Sequence, residues 1–240
     1  MQNGIFITGT DTGVGKTVIA AALAYACRQK KLDFGYIKPM ESGVLNREYL
    51  NTASDAALVK KAGSLPEALD EIVPFTFSEP LAPRLAARRA GIKITRERLI
   101  NSVKERINPN RLTIVEGAGG LMAPLCENFL VLDLIRELKF PCLIVCRTAL
   151  GSVNHTLLTI NCLRRAGMEP VGIIANNTCG SGIAEEAFKD QVTEFTPVPI
   201  LGEMPFIVNF QPGFQDWSKL ANHIDITTLL NRINFPSPPE

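Results

Sequence analysis

Residues 9–17 read GTDTGVGKT and lie between the apolar run GIFIT and the alanine-rich run VIAAALAYAC. Gly15-Lys16-Thr17 carries the chemistry of a phosphate site: a lysine able to reach β- and γ-phosphates, and a hydroxyl able to ligate Mg²⁺. Gly13 and Gly15 let the backbone around Thr12 and Val14 turn its N–H groups onto phosphate oxygens. A helix starting near Lys16 adds the positive potential of its N-terminus. The spacing differs from the common loop, which has Gly, four residues, then Gly-Lys-Ser/Thr. Thr10 holds the place of the first Gly, and Gly9 stands one residue early. The tripeptide alone is a weak signal. Lodged between a strand and a helix, it marks Thr12, Gly13, Val14, Gly15, Lys16 and Thr17 as a nucleotide-binding loop, with ATP the default nucleotide.

Such a loop needs a rigid frame. Six apolar runs, GIFIT (4–8), FGYIK (34–38), LTIVE (112–116), CLIVC (142–146), VGIIAN (171–176) and VPIL (198–201), predict strands. They are continuous rather than alternating, as strands buried on both faces should be. Helical stretches are expected over 17–30, 53–62, 95–106, 128–138, 153–166, 181–192 and 217–232, and an irregular excursion over 63–90. Strands separated by helices predict an α/β fold, a parallel sheet flanked by helices. Ligands of such sheets bind beyond the carboxyl ends of the strands. Lys38 and Ser42 follow the second run in IKPMESG, and Glu116 and Gly117 stand in EGAGG after the third. RTALGSVNH, NNTCG and GEMPF follow the last three. Lys38 and Glu116 are candidate site residues on this ground; a solvated strand-edge lysine is the competing reading.

The chain has 240 residues, 46% hydrophobic and 20% charged, with formal net charge +1. That balance fits an ordinary globular protein with one full α/β core, read as a single domain over 1–240 with a frayed end at 234–240. It offers no basic face for nucleic acid or an acidic membrane. No basic segment precedes the first apolar run, and the longest apolar stretch, 18–27, is too short to span a bilayer. A cytoplasmic protein is therefore expected. Cys27, Cys126, Cys142, Cys146, Cys162 and Cys179 form no CxxC pair or zinc-spaced cluster and are expected to be buried thiols.

Aligned on Gly13-x-Gly15-Lys16-Thr17, the loop resembles the variant P-loop of the ParA/MinD/nitrogenase iron protein class. That class has Lys where Asp11 stands and Gly where Thr12 stands. GTDTGVGKT with IKPMESG is similar to the dethiobiotin synthetase family of the biotin pathway. SDAALV (54–59), PFTFSEPLAP (74–83), VEGAGGLMAPL (115–125), RTALGSVNHTLLT (147–159), ANN (175–177) and LGEMP (201–205) extend the likeness in the same order. Arg84 departs from the His common in the family, and the match fades beyond GEMPF.

The resemblance implies a P-loop NTPase-like fold and an ATP- and Mg²⁺-dependent ring closure. CO₂ adds to one amine of 7,8-diaminopelargonate, the carbamate takes the γ-phosphoryl group, and the second amine closes a ureido ring and expels phosphate. Such chemistry needs charge neutralisation more than a covalent nucleophile. The resemblance implies Lys16 and Lys38 as the catalytic cations, and Thr17, Asp55 and Glu116 as Mg²⁺ ligands. Helix capping is the competing reading of Asp55 in TASDA, and the metal role is preferred on the resemblance. Asn176, Asn177, Pro205 and Phe206 would border the adenine, with Glu116 and Gly117 also on the nucleotide. Thr12, Lys38 and Ser42 would touch the substrate. Gly151, Ser152 and Asn154 would reach it from the second subunit of a homodimer, at a helix N-terminus suited to a carboxylate. His155 is read as a packed or capping residue, not a base.

Two other activities fit the same loop. A small-molecule kinase would transfer phosphate to a hydroxyl without CO₂. A partner-regulated ATPase of the ParA/MinD kind would use a signature lysine, and Asp11 cannot act as one. That third reading also lacks a basic or amphipathic C-terminal helix for DNA or membrane.

Overall fold

The computed structural model describes residues 3–208 and 216–235. The chain begins with β1 (Gly4–Gly9), α1 (Lys16–Gln29), β2 (Phe34–Ile37), β3 (Glu41–Ser42), α2 (Arg47–Thr52), α3 (Asp55–Gly63) and α4 (Leu69–Ile72). It continues through β4 (Thr76–Phe77), α5 (Pro83–Arg89), α6 (Arg96–Lys104), β5 (Leu112–Gly120), β6 (Pro124–Cys126), β7 (Phe129–Leu130) and α7 (Val131–Leu138). The last elements are β8 (Cys142–Arg147), α8 (Ser152–Arg165), β9 (Pro170–Asn176), α9 (Ile183–Phe195), β10 (Ile200–Met204), α10 (Trp217–Ala221) and α11 (Ile226–Arg232).

The six expected strands form one sheet in the order β10-β9-β8-β1-β5-β2, every neighbouring pair parallel. Successive side chains point to opposite faces, and both faces are apolar. Ile5, Ile7, Ile114, Leu143 and Val145 pack toward α1, while Phe6, Val115, Ile144 and Ile173 pack into the other layer. Both faces are buried, so the sequence shows runs instead of alternation. Ala20, Ala21, Ala22 and Ala24 are buried in α1. Alanine favours helix and lets the axis approach the sheet closely.

Three segments differ from the expectations. The helix expected from 128 begins at Val131, because β6 and β7 form an antiparallel hairpin turned at Asn128, which has φ 50°. Asp133 Oδ2 accepts from the Leu130 N–H at 2.9 Å and fixes the start of α7. The helix expected over 217–232 is two helices. Asp225 breaks it: its N–H donates to Leu201 O at 2.7 Å, and its Oδ1 accepts from the Thr228 N–H at 2.9 Å, capping α11. Cys162 is half-buried and Cys179 exposed, so only four of the six cysteines are buried thiols. The stretch 63–90 holds α4, α5 and β4, which pairs in parallel with β3. The end expected to fray lies outside the described residues beyond Phe235. Among the described residues no helix is long and apolar enough to cross a membrane.

Candidate active site

The glycine loop leaves the carboxyl end of β1, the strand flanked by β5 on one side and β8 on the other. The chain crosses β1 in passing from β5 to β8, which makes this the switch point where such sheets bind ligands. Gly13 and Gly15 have φ of 71° and 96°, values that suit glycine alone in a loop this tight. Lys16 opens α1 and is buried, its Nζ donating to Asp11 O at 3.0 Å. Burial lowers its pKa to about 8, against the opposing field of Glu116.

Beside the loop, three polar side chains meet on Glu116. Thr17 Oγ1 and Lys38 Nζ each donate to Glu116 Oε1 at 2.8 Å, and the Tyr36 hydroxyl donates to Oε2 at 2.7 Å. Lys38 also donates to Asp55. Tyr36 and Lys38 lie two residues apart and so project to the same face. Glu116 comes from β5, which lies between β2 and β1. Burial acts to lower the Lys38 pKa, but Glu116, Asp55 and Glu41 outweigh it and hold the ammonium above the ordinary lysine range. Burial would raise Asp55, yet the charge and hydrogen bond of Lys38 hold it below its usual value. Burial and the neighbouring Glu116 raise Tyr36.

The helix-cap reading of Asp55 is corrected by α3. Ser54 is the cap, its Oγ accepting from the Ala57 N–H at 3.0 Å. Glu41 covers the next donors, accepting from Asp55 N at 2.7 Å and Ala56 N at 3.4 Å. The Asp55 carboxylate is thereby released toward Lys38. Burial raises Glu41 to about 7 despite Lys38.

Thr12, Gly13, Gly15, Lys16, Thr17, Lys38, Ser42, Asp55, Glu116 and Gly117 line one cleft of about 670 Å³. Its opposite wall is apolar, with Met40, Pro80, Leu81, Ala82 and Pro83. The irregular excursion thus supplies that wall. Val14 turns its side chain into the core. Arg84 is exposed and lines a neighbouring cavity with Cys126, not this cleft.

The remaining predicted residues fall into two groups. Asn176 Nδ2 donates to Val14 O at 2.9 Å, so part of its amide is spent on the loop. Asn177 organises a turn: its Oδ1 accepts from Cys179 N at 3.1 Å and Gly180 N at 3.0 Å, and its Nδ2 donates to Gly180 O at 2.8 Å. Asn177 N joins Met204 O at 3.1 Å, which brings Pro205 and Phe206 alongside. Phe206 is 44% exposed and is not a core residue. Gly151, Ser152 and Asn154 do not line the cleft; they open α8 on the same edge of the sheet. His155 is exposed on α8 rather than packed.

Three residues were not singled out from sequence: Tyr36, Glu41 and Arg147. Arg147 ends β8, and its Nη2 donates to Thr12 O at 2.7 Å. The strand-end criterion that found Lys38 and Glu116 applies equally to Arg147.

Among the described residues no three His, Cys, Asp or Glu side chains form a ready-made metal cluster. Thr17 Oγ1, Asp55 and Glu116 are hard oxygen donors gathered about Lys38. That set fits Mg²⁺, which binds through one or two carboxylates and takes phosphate and water for the rest.

Sheet, loop and cluster define a P-loop nucleotide-binding protein of the variant-loop class. Solved structures share the fold. The MinC:MinD cell division complex of Aquifex aeolicus aligns with TM-score 0.54 at 14% identity, covering 99% of this chain and 98% of that one. A putative plasmid partition protein of Borrelia burgdorferi bound to AMPPNP aligns with TM-score 0.56 at 12% identity, covering 97% and 99%. The family model described as AAA domain matches residues 3–212. The ATP-dependent dethiobiotin synthetase BioD of Bacillus licheniformis is 38% identical over 98% of both chains. Its Bacillus thuringiensis counterpart is 42% identical over 85% of this chain and 84% of its own. The chain belongs to the ATP-dependent dethiobiotin synthetase family.

Proposed function

We propose that the cleft beside the loop carries out the family's reaction: carboxylation of 7,8-diaminopelargonate with CO₂, phosphorylation of the carbamate and closure of the ureido ring. The chain is an ATP-dependent ligase that forms carbon–nitrogen bonds. The observation that carries the residue assignment is the meeting of Lys16, Lys38, Thr17, Asp55 and Glu116 in one cleft. Lys16 neutralises the β- and γ-phosphates from the loop side. Lys38, held by two carboxylates, sits where a carbamate oxygen and the γ-phosphoryl group must approach each other. Glu116 fixes Lys38 and Thr17 at once. Mg²⁺ held by Thr17, Asp55 and Glu116 supplies further neutralisation of the phosphate oxygens. The apolar wall of Met40, Leu81 and Pro83 suits the aliphatic chain of the substrate, with Thr12 and Ser42 as hydroxyl contacts. Asn176, Asn177, Pro205 and Phe206 border the base.

Gly151, Ser152 and Asn154 act in this reading across a homodimer interface. Two observations support it. They lie outside their own chain's cleft, and α8 carries exposed Leu158 beside Cys162, which meets exposed Met122. A single-chain mass in sedimentation at micromolar concentration would overturn the dimer.

Incubation with diaminopelargonate, MgATP and labelled bicarbonate yields labelled dethiobiotin. ATP turnover independent of bicarbonate would favour the kinase instead. Thr17→Val removes one oxygen ligand at similar volume, and Glu116→Gln removes a charge. Each shifts half-maximal activity to higher Mg²⁺, by about tenfold for a lost charged or hydroxyl contact. Titration curves overlaying wild type would mean that neither side chain holds the metal.

A further inference from the structure

We propose that Arg147 and Asn176 form a two-point clamp that sets the phosphate-binding geometry of the loop. The inference rests on the nucleotide reading of that loop given above. The two residues face each other in register at the ends of neighbouring strands, β8 and β9. Arg147 Nη2 donates to Thr12 O at 2.7 Å, and Asn176 Nδ2 donates to Val14 O at 2.9 Å. The clamp therefore grips alternate carbonyls of the loop.

The peptide bond is planar and trans, so its C=O and N–H point in opposite directions. Holding Thr12 O toward Arg147 turns the Gly13 N–H the other way. Holding Val14 O toward Asn176 does the same for the Gly15 N–H. Both glycines line the cleft, and both have the positive φ of an anion-binding nest. An outward pull on carbonyls 12 and 14 is an inward aim of N–H groups 13 and 15.

The glycines show the same partnership sterically. A Cβ at Gly15 would stand 2.1 Å from Asn176 Nδ2, and one at Gly13 would stand 3.2 Å from Arg147 Nη2. Each clamp side chain occupies the space that the missing side chain of its glycine leaves. Asp11 completes the arrangement: its Oδ1 accepts from Thr12 N at 2.7 Å, and its Oδ2 lies 3.9 Å from Arg147 Nη1. At the position where the variant-loop class has a lysine, this chain has an acid that steadies the loop and faces the clamp arginine. Arg147 and Asn176 are positioning residues in this scheme. Asn176 acts on the phosphate site as well as on any base beside it.

Calorimetric titration with MgATP and with magnesium tripolyphosphate, which has no base, tests the clamp. Arg147→Ala weakens both ligands by a similar factor, about tenfold or more for loss of such a hydrogen bond, and Asn176→Ala weakens tripolyphosphate by that factor and MgATP by at least as much. Arg147→Lys recovers part of the loss, since an ammonium can still donate to one carbonyl without the planar fork. The KM for ATP rises in each variant while that for diaminopelargonate stays near wild type. Tripolyphosphate affinity within twofold of wild type for Arg147→Ala would overturn the clamp. So would a lower melting temperature with unchanged affinities, which marks a merely structural contact. If Asn176→Ala loses ATP but keeps tripolyphosphate, Asn176 reads the base and the two-point scheme is wrong. Failure of the wild-type protein to bind either ligand would instead overturn the nucleotide reading itself, and the clamp with it.

Discussion

Lys16→Ala lowers dethiobiotin formation by about 10²-fold or more while the protein stays folded; loss of one preorganised charge contact to a transferring group has that order of effect. Two features of the site make this a clean experiment. Lys16 is the first residue of α1, and alanine is the best helix former, so the helix start survives. Among the described residues its ammonium donates to Asp11 O, a loop carbonyl. Burial also lowers the Lys16 pKa to about 8, so the charged form is held in the folded protein at a cost. A depressed lysine pKa means that the folded state loses its proton first as pH rises. Between about pH 8 and the ordinary lysine value that favours the folded state, and at neutral pH the charge disfavours it. Removing Lys16 therefore costs little stability at pH 7 while removing the cation proposed to face phosphate. Turnover and the melting curve are measured on the same sample. Activity within threefold of wild type in a folded Lys16→Ala protein would sink the phosphate-loop assignment.

The sheet was legible because its strands are buried on both faces. Short runs rich in Val and Ile, such as CLIVC and VGIIAN, read as strands, whereas the longer alanine-rich VIAAALAYAC reads as helix. Strand ends were legible for the same reason: a lysine, a glutamate or an asparagine closing an apolar run stands out. Spatial order was not. Lys38 follows the second strand in sequence, but β2 is the sheet edge and β5 separates it from β1. Lys38 meets the loop region through Glu116, a contact 78 residues away along the chain, and no local pattern encodes it. Tyr36 was lost inside an apolar run, where an aromatic reads as core; only its spacing of two from Lys38 hints at the shared face. Glu41 was passed over because its partners are backbone N–H groups of α3, a tertiary contact. The division of the last helix was readable in principle, since Asp225 immediately ahead of the apolar pattern Ile226, Leu229 and Leu230 is a cap signal.

Lys38→Gln separates binding from ring closure. Glutamine keeps a donor near Glu116 and drops the charge, so MgATP still binds through the loop while labelled bicarbonate incorporation falls by about 10²-fold. The structure adds a second readout. Lys38 is 4% exposed and Glu116 is fully buried, and the lysine is the cation between Glu116 and Asp55. Removing one partner of a buried pair costs about 3–5 kcal/mol when the other is left stranded. Glu116 keeps Thr17 and Tyr36 as donors, and the half-exposed Asp55 can turn to water, which places Lys38→Gln near the low end and Lys38→Leu nearer the high end. Both variants melt lower than wild type without ligand. On the proposed metal assignment, Mg²⁺ with ATP would return positive charge to the same two carboxylates, so the melting temperature rises more on adding MgATP in the variants than in wild type. Calorimetric ATP titration, melting with and without MgATP, and label incorporation are read together. A kinase at this site predicts lost phosphoryl transfer in the variants with no bicarbonate dependence in the wild type. Label incorporation by Lys38→Gln at the wild-type rate would remove Lys38 from the chemistry and place the carbamate on another edge of the sheet.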